Sequence, residues 1–259
     1  MLQMSDKKLI LVCNDDGITA PGIRNLIEVA REFGDVVVVA PDKPQSAMGH
    51  AITINATIRV HPMRSDGILE YACSGTPVDC IKLAVNKILH RKPDLLVSGI
   101  NHGSNASINV IYSGTMSAAM EGAMEGIPSI GFSLLDHSID ADFSAAQHFA
   151  RIIIGQALND QMPDGICLNV NIPNVSTEMI RGIKVCRQAR ANWEEEFDER
   201  KDPNGKPYYW LTGVFKNFDE GEDTDIWALE NNYVSIVPCQ FDITAHKVLQ
   251  HYKNWEQNV

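Results

Sequence analysis

The sequence predicts an α/β fold: a Rossmann-like, doubly wound, mostly parallel sheet with a C-terminal hairpin and a terminal helix. Three observations predict it. Short apolar runs alternate with helical stripes through the first two thirds of the 259 residues. Those runs are continuously apolar rather than alternating, as strands covered on both faces are. Three of them end in loops rich in oxygen side chains and glycine, and in open parallel sheets ligands gather at the carboxyl ends of strands.

The elements follow in order. Leu9-Ile-Leu-Val-Cys-Asn-Asp-Asp-Gly17 reads as a buried strand that stops at a turn, with Gly17 allowing the sharp change of direction. Pro21-Gly22 opens a helix whose Ile23, Leu26, Ile27 and Ala30 share one face, and Val36 to Ala40 make a second buried strand. Thr76-Pro77 caps a helix striped by Val78, Ile81, Val85 and Ile88. Leu95 to Val97 reads as a strand, Met116 to Glu125 as a helix, Ile130 to Leu134 as a strand and Phe143 to Leu158 as a long helix. Further strands are expected at Ile166 to Ile172 and Ile180 to Cys186. Composition then changes. From Trp193 to Gly213 charges and aromatics surround Asp202-Pro203-Asn204-Gly205, the pattern of a protruding hairpin with a tight turn. A strand at Tyr233 to Val237 and a polar helix from about Thr244 complete the chain. The expected division is an α/β catalytic core over 1–190 and an extension over 191–259 that serves oligomerisation.

Composition narrows the function. A net charge of -11 argues against a nucleic-acid polymer as partner, although a bound cation can reverse the field locally for a small phosphate ester. Six cysteines, at 13, 73, 80, 167, 186 and 239, show no C-x-x-C spacing, so free thiols are expected. Asp6, Lys7 and Lys8 precede only a short apolar run, and no stretch approaches a membrane span. A cytoplasmic protein with no membrane partner is the expectation.

Four strings carry candidate chemistry. Asp15 and Asp16 form an adjacent carboxylate pair; two such charges about 4 Å apart repel by about 4 kcal/mol at an effective dielectric of 20, a cost that a divalent cation removes. The alternative is a solvated Asp-Gly turn. The second loop, Pro41 to His50, offers the Ser46 hydroxyl and the His50 imidazole; the third, Ser98 to Asn105, offers Asn101 and Asn105 among glycines. Each on its own is also an ordinary surface loop. Right-handed β-α-β crossovers bring all three to one edge of the sheet. Tyr112-Ser113-Gly114-Thr115 stands directly before a helix, so Ser113 or Thr115 is either a plain cap or part of a phosphate cradle of unpaired amides. The all-oxygen set of Asp, Asp, Ser and Asn favours Mg²⁺ or Mn²⁺ over zinc. G-x-G-x-x-G, G-x-x-x-x-G-K-[ST], H-E-x-x-H and G-x-S-x-G are absent from the sequence. Asn14 occupies the place where a D-x-D aspartyl nucleophile would need a carboxylate. The acidic stretch from Asp219 breaks the calcium-loop pattern at Gly221 and Thr224. Asp242 and His246, four apart, would share a helical face, at the site or at an interface.

Taken in order, Asn14-Asp-Asp-Gly17 with Ala20-Pro-Gly22, Ser98-Gly-Ile-Asn101, Tyr112-Ser-Gly-Thr115 with Ala118-Ala-Met-Glu-Gly122, Tyr233-Val-Ser-Ile-Val-Pro238 and Asp242-Ile-Thr-Ala-His246 resemble the survival protein SurE family of metal-dependent nucleotidases. The resemblance spans nearly the whole chain. It implies a SurE-like fold and hydrolysis of nucleoside 5′- and 3′-monophosphates, with short polyphosphate as a further substrate. It implies one divalent metal, Mg²⁺ or Mn²⁺, on Asp15, Asp16, Ser46 and Asn101, with Asp15 and Asp16 catalytic. Substrate contacts would fall on Asn14, Asn105, Ser113, Gly114 and Thr115. A homodimer or homotetramer with exchanged C-terminal segments is implied too. Two positions depart from the family pattern, Ala47 and Ser107, both where glycine is usual, and they bear on loop geometry. The alternatives are an exopolyphosphatase acting mainly on short polyphosphate, or a nucleotide-binding sensor without turnover.

Overall fold

In the computed structural model, which describes residues 7–65 and 67–256, Leu9–Cys13 forms β1, an interior strand of a nine-stranded sheet. Its side chains divide between the two faces. Ile10 and Val12 enter one core with Ile23, Leu26 and Ile27 of α1 (Pro21–Ala30), while Leu11 and Cys13 enter the other. This two-sided burial is why the strand is apolar at every position. β2 (Asp35–Pro41) pairs parallel with β1, and β4 (Ile68–Cys73) pairs parallel with β2. β3 (Val60–Ser65), antiparallel to β4, lies at the sheet edge, where Pro62 is tolerated. α2 (Pro77–Leu83) starts with a capping box in which Thr76 and Asp79 satisfy each other's backbone N–H, and it ends in one π turn, Ala84–Ile88.

β5 (Leu95–His102) pairs with the opposite side of β1. The strand therefore extends beyond the expected Leu95 to Val97, and its register against β6 (Ser129–Leu134) shifts between Ser98 and Asn101. Sheet order is β3-β4-β2-β1-β5-β6-β7-β11-β8, so the winding reverses between β1 and β5. That is the switch point at which open α/β sheets form a crevice. Between β5 and β6 come α3 (Asn109–Tyr112) and α4 (Gly114–Met124). α5 (Ser144–Asn159) covers the face shared with α1 and precedes β7 (Ile166–Ile172). Gly22 lets α1 approach β5 closely, because a Cβ there would fall on the Ile100 carbonyl.

β8 (Gly182–Val185) is followed by the projecting hairpin of β9 (Ala191–Lys201) and β10 (Pro207–Asn217), closed by an Asp202 turn. After α6 (Asp225–Glu230), β11 (Tyr233–Gln240) returns to the core sheet, antiparallel to β7 and parallel to β8. The boundary read at 190 from composition thus has sheet strands on both sides of it. The polar segment after Thr244 is three short turns, His246–Val248, α7 (Leu249–Tyr252) and Lys253–Trp255, rather than one helix. Its described residues are exposed, and a helix this short needs a buried face to hold it. Among the described residues no helix is long and apolar enough to cross a membrane, and all six cysteines are free.

Candidate active site

The carboxyl ends of β1 and β5, the second loop and the start of α4 enclose one cleft of about 680 Å³. Its wall includes Asp15, Asp16, Ser46, Asn101, Asn105 and Ser113. Asp15 is buried, and the Thr115 hydroxyl donates to its Oδ1 at 2.5 Å. Burial, reinforced by the charge of Asp16, pushes the Asp15 carboxyl up to about 6. Burial also raises Asp16, opposed by the His102 backbone N–H that points at its Oδ2 from 3.5 Å.

The second loop is tied to the first by the Gln45 N–H, which donates to the Asp15 carbonyl at 2.8 Å. Ser46 stands exposed on that loop. His50 turns away from the cleft: its Nε2 lies 2.9 Å from Oε2 of Glu121, a buried carboxylate on α4 that also binds Lys82. Burial by itself would raise the Glu121 carboxyl, but these two partners outweigh it and hold the group below its ordinary value. In the third segment the Asn101 side-chain amide donates to the Gly103 carbonyl at 2.9 Å, which commits its nitrogen and leaves Oδ1 as the free atom. Ala47 and Ser107, the two departures from the family pattern, both adopt positive φ, 57° and 54°. Glycine is usual at such positions because left-handed backbone costs other L-residues about 1–2 kcal/mol.

Asn105 is buried in a polar network that residue-by-residue reading of the sequence missed. Its Nδ2 donates to Ser133 Oγ at 2.6 Å and its backbone N–H to Asn171 Oδ1 at 2.8 Å, while its carbonyl accepts from Asn169 Nδ2 at 2.8 Å. The signal was present in Asn169-Val-Asn171, two amides spaced by two on one face of an otherwise apolar strand. Asn14, by contrast, points inward. Its Nδ2 donates to the Gly17 carbonyl at 2.9 Å and its Oδ1 is buried with no hydrogen-bond partner among the described residues.

At the start of α4 the cap and the cradle readings coexist. Ser113 is the N-cap, with Oγ accepting from the Met116 N–H at 3.0 Å, which leaves the hydroxyl proton available to another acceptor. Gly114 is required by a protein contact: a Cβ there would meet Cβ of Asp15 at 2.6 Å and its Oδ2 at 2.8 Å. Thr115 is fully buried against Asp15, and both its hydroxyl and its backbone N–H hydrogen-bond the carboxylate, so Thr115 orients Asp15 rather than lining an open helix end.

The donor set fits a hard divalent cation. Two carboxylates, an exposed hydroxyl and an amide oxygen line the same cleft, and among the described residues no cluster of three or more His, Cys, Asp or Glu side chains offers a metal a rival site. Asp242 and His246 do bond, Oδ2 to Nε2 at 2.8 Å, but both are exposed and neither lines the cleft. The acidic stretch from Asp219 is held by Arg187, which pairs with Asp219 at 2.6 Å and Asp223 at 2.9 Å, and Thr224 caps α6.

The survival protein SurE family model matches residues 10–195. A Flavobacterium psychrophilum protein named 5′-nucleotidase SurE is 62% identical over 254 residues, covering 97% of this chain and 99% of the relative. One of the same name from Phocaeicola vulgatus is 45% identical over 256 residues, covering 98% and 99%. The crystal structure of the SurE protein from Aquifex aeolicus matches with a TM-score of 0.84 at 40% identity, over 96% of this chain and 100% of that one. Sheet order, the carboxylate pair at the switch point and full-length similarity converge on one assignment: the chain belongs to the SurE family.

Proposed function

We propose that the cleft is the active site of a phosphomonoesterase that converts nucleoside 5′- and 3′-monophosphates to nucleoside and phosphate. The observation that carries this reading is the meeting of Asp15 and Asp16 with the N-terminus of α4, in a chain whose relatives are named 5′-nucleotidases. Asp15, Asp16, Ser46 and Asn101 would hold one Mg²⁺ or Mn²⁺. That ion, when bound, supplies Lewis acidity at a phosphoryl oxygen and lowers the pKa of a water molecule. The Gly114 N–H at the start of α4 and the Ser113 hydroxyl bind the phosphoryl oxygens, favoured by the positive end of the helix. Asn105, immobilised by Ser133 and Asn171, presents its remaining amide oxygen and carries no charge with which to take a proton. Thr115 fixes the Asp15 carboxylate. Hydrolysis adds water across the P–O ester bond, with hydroxyl to phosphorus and the proton to the leaving oxygen.

Apolar wall residues Leu135, Ile226 and Leu229 suit a nucleoside better than a bare polyphosphate chain, which leaves short polyphosphate as a secondary substrate. Free cysteines suit a cytoplasmic setting. Assembly into a homodimer or homotetramer is supported by exposed Phe197, Tyr209, Trp210 and Leu211 on the hairpin and by Ile243 beyond β11. The test is phosphate release from AMP and GMP, expected to vanish with chelator and return with Mn²⁺. Unchanged turnover in Asp15→Asn would overturn the assignment.

A further inference from the structure

We infer that Trp193 and Phe215, at the root of the hairpin, form the platform on which the nucleobase of the substrate stacks; the inference rests on the nucleotidase reading. The two residues are cross-strand partners in the β9–β10 register, and both belong to the wall of the cleft that contains Asp15 and Asp16. Their rings meet edge to face with centroids 5.4 Å apart. The indole is fixed: Nε1–H donates to Asn109 Oδ1 at 2.9 Å, and Asn109 lines the same cleft. Yet Trp193 remains 41% exposed, so a large aromatic face is held in place and left uncovered.

A pinned but uncovered aromatic surface is unusual for a residue whose only task is packing. Hairpin rigidity alone would be served by burying the ring, and the indole hydrogen bond would be unnecessary. The polar groups that suit a phosphate come from β1, β5 and α4, whereas these rings come from the hairpin. A cleft of about 680 Å³ is far larger than a phosphate needs and accommodates a nucleoside between the two sets. Every base has a π face, so stacking here accepts purines and pyrimidines alike and favours the larger purine surface. The chemical class is thus an aromatic heterocycle attached to a phosphorylated pentose.

The experiment compares AMP with ribose 5-phosphate, which has the same ester and no base. In Trp193→Ala, kcat/KM for AMP should fall about tenfold, the scale of one base–aromatic stack, mostly through KM. For ribose 5-phosphate it should stay within about twofold, because the ester-binding groups are untouched. Trp193→Phe should retain most of the AMP activity, and it covers the case in which the alanine variant folds poorly. Equal losses on both substrates, or a changed oligomeric mass with both activities falling together, would overturn the platform and make the pair a structural or subunit contact. Failure of the nucleotidase reading itself looks different: wild-type protein with Mn²⁺ would release phosphate from neither compound.

Discussion

Thr115 and Asp15, 100 positions apart in sequence, are joined by a 2.5 Å hydrogen bond that ties the first turn of α4 to the carboxyl end of β1. The bond fixes which Asp15 oxygen faces the cleft. Thr115→Val keeps the shape and removes the donor, and if Asp15 holds the proposed metal, a supporting contact of this kind is worth about 10–100-fold. Steady-state kinetics with saturating Mn²⁺ should show that loss in kcat/KM, while Thr115→Ser stays near wild type.

Gly114→Ala places a methyl on Asp15, whose Cβ and Oδ2 lie 2.6 and 2.8 Å from the new atom. Backbone or carboxylate must move. Overpacking of this kind costs about 1–3 kcal/mol, and the same displacement should remove most of the activity. Calorimetry and phosphate release on one preparation check both outcomes.

The two left-handed residues should respond differently to glycine. Ala47→Gly relieves left-handed strain at an exposed position and should stabilise the protein by up to about 1 kcal/mol. Ser107→Gly relieves the same strain but deletes the hydroxyl that donates to the Ala189 carbonyl at 2.9 Å, so the gain is cancelled or reversed. Urea midpoints of the two variants decide the point.

Crowding of Asp15 and Asp16 means that a cation held there, as proposed, would stabilise the fold. At 100 times its dissociation constant, Mn²⁺ should add about 2.7 kcal/mol, a rise in Tm of about 5–10 °C for a chain of this size. Asp15→Asn should abolish most of that shift. A chelator titration followed by scanning calorimetry measures it.

Asp79 gives a pH dependence away from the cleft. Burial alone would raise its carboxyl, but hydrogen bonds from Thr53 and Thr76 outweigh that and hold it below its ordinary 3.8. A depressed carboxyl stabilises the fold above 3.8, and the contribution is lost as pH falls through the lower native value. The stability gap between wild type and Asp79→Asn should therefore be full at pH 7 and shrink below about pH 3.8. Urea unfolding across that range is the measurement.

Local chemistry made much of this legible. β1, β2, β6 and β7 are apolar because helices cover both faces, and Thr76-Pro77 and Ser113 announce helix starts by the oxygen they offer. β3 was not legible, since an edge strand with Pro62 needs no apolar pattern. Nor were the partners of Asn105: Ser133, Asn169 and Asn171 lie 28 to 66 residues away and meet it only through sheet order. That Gly114 must also make room for the Asp15 side chain was not legible, because the two meet only through the fold. Asp242 and His246 pair as their spacing suggested, but through a turn in which Asp242 also accepts from the Thr244 N–H, not through a helix.

The place of β11 between β7 and β8 has a consequence for synthesis. Within the sheet β8 pairs with β11 alone, so Gly182–Val185 has no ladder until Tyr233–Gln240 has left the ribosome. Everything that builds the cleft from β1 to α4 is translated long before that. The nascent chain therefore carries the carboxylate side of the cleft beside an open β7 edge, which stays unpaired and prone to self-association until the hairpin has been made and the last strand pairs with it.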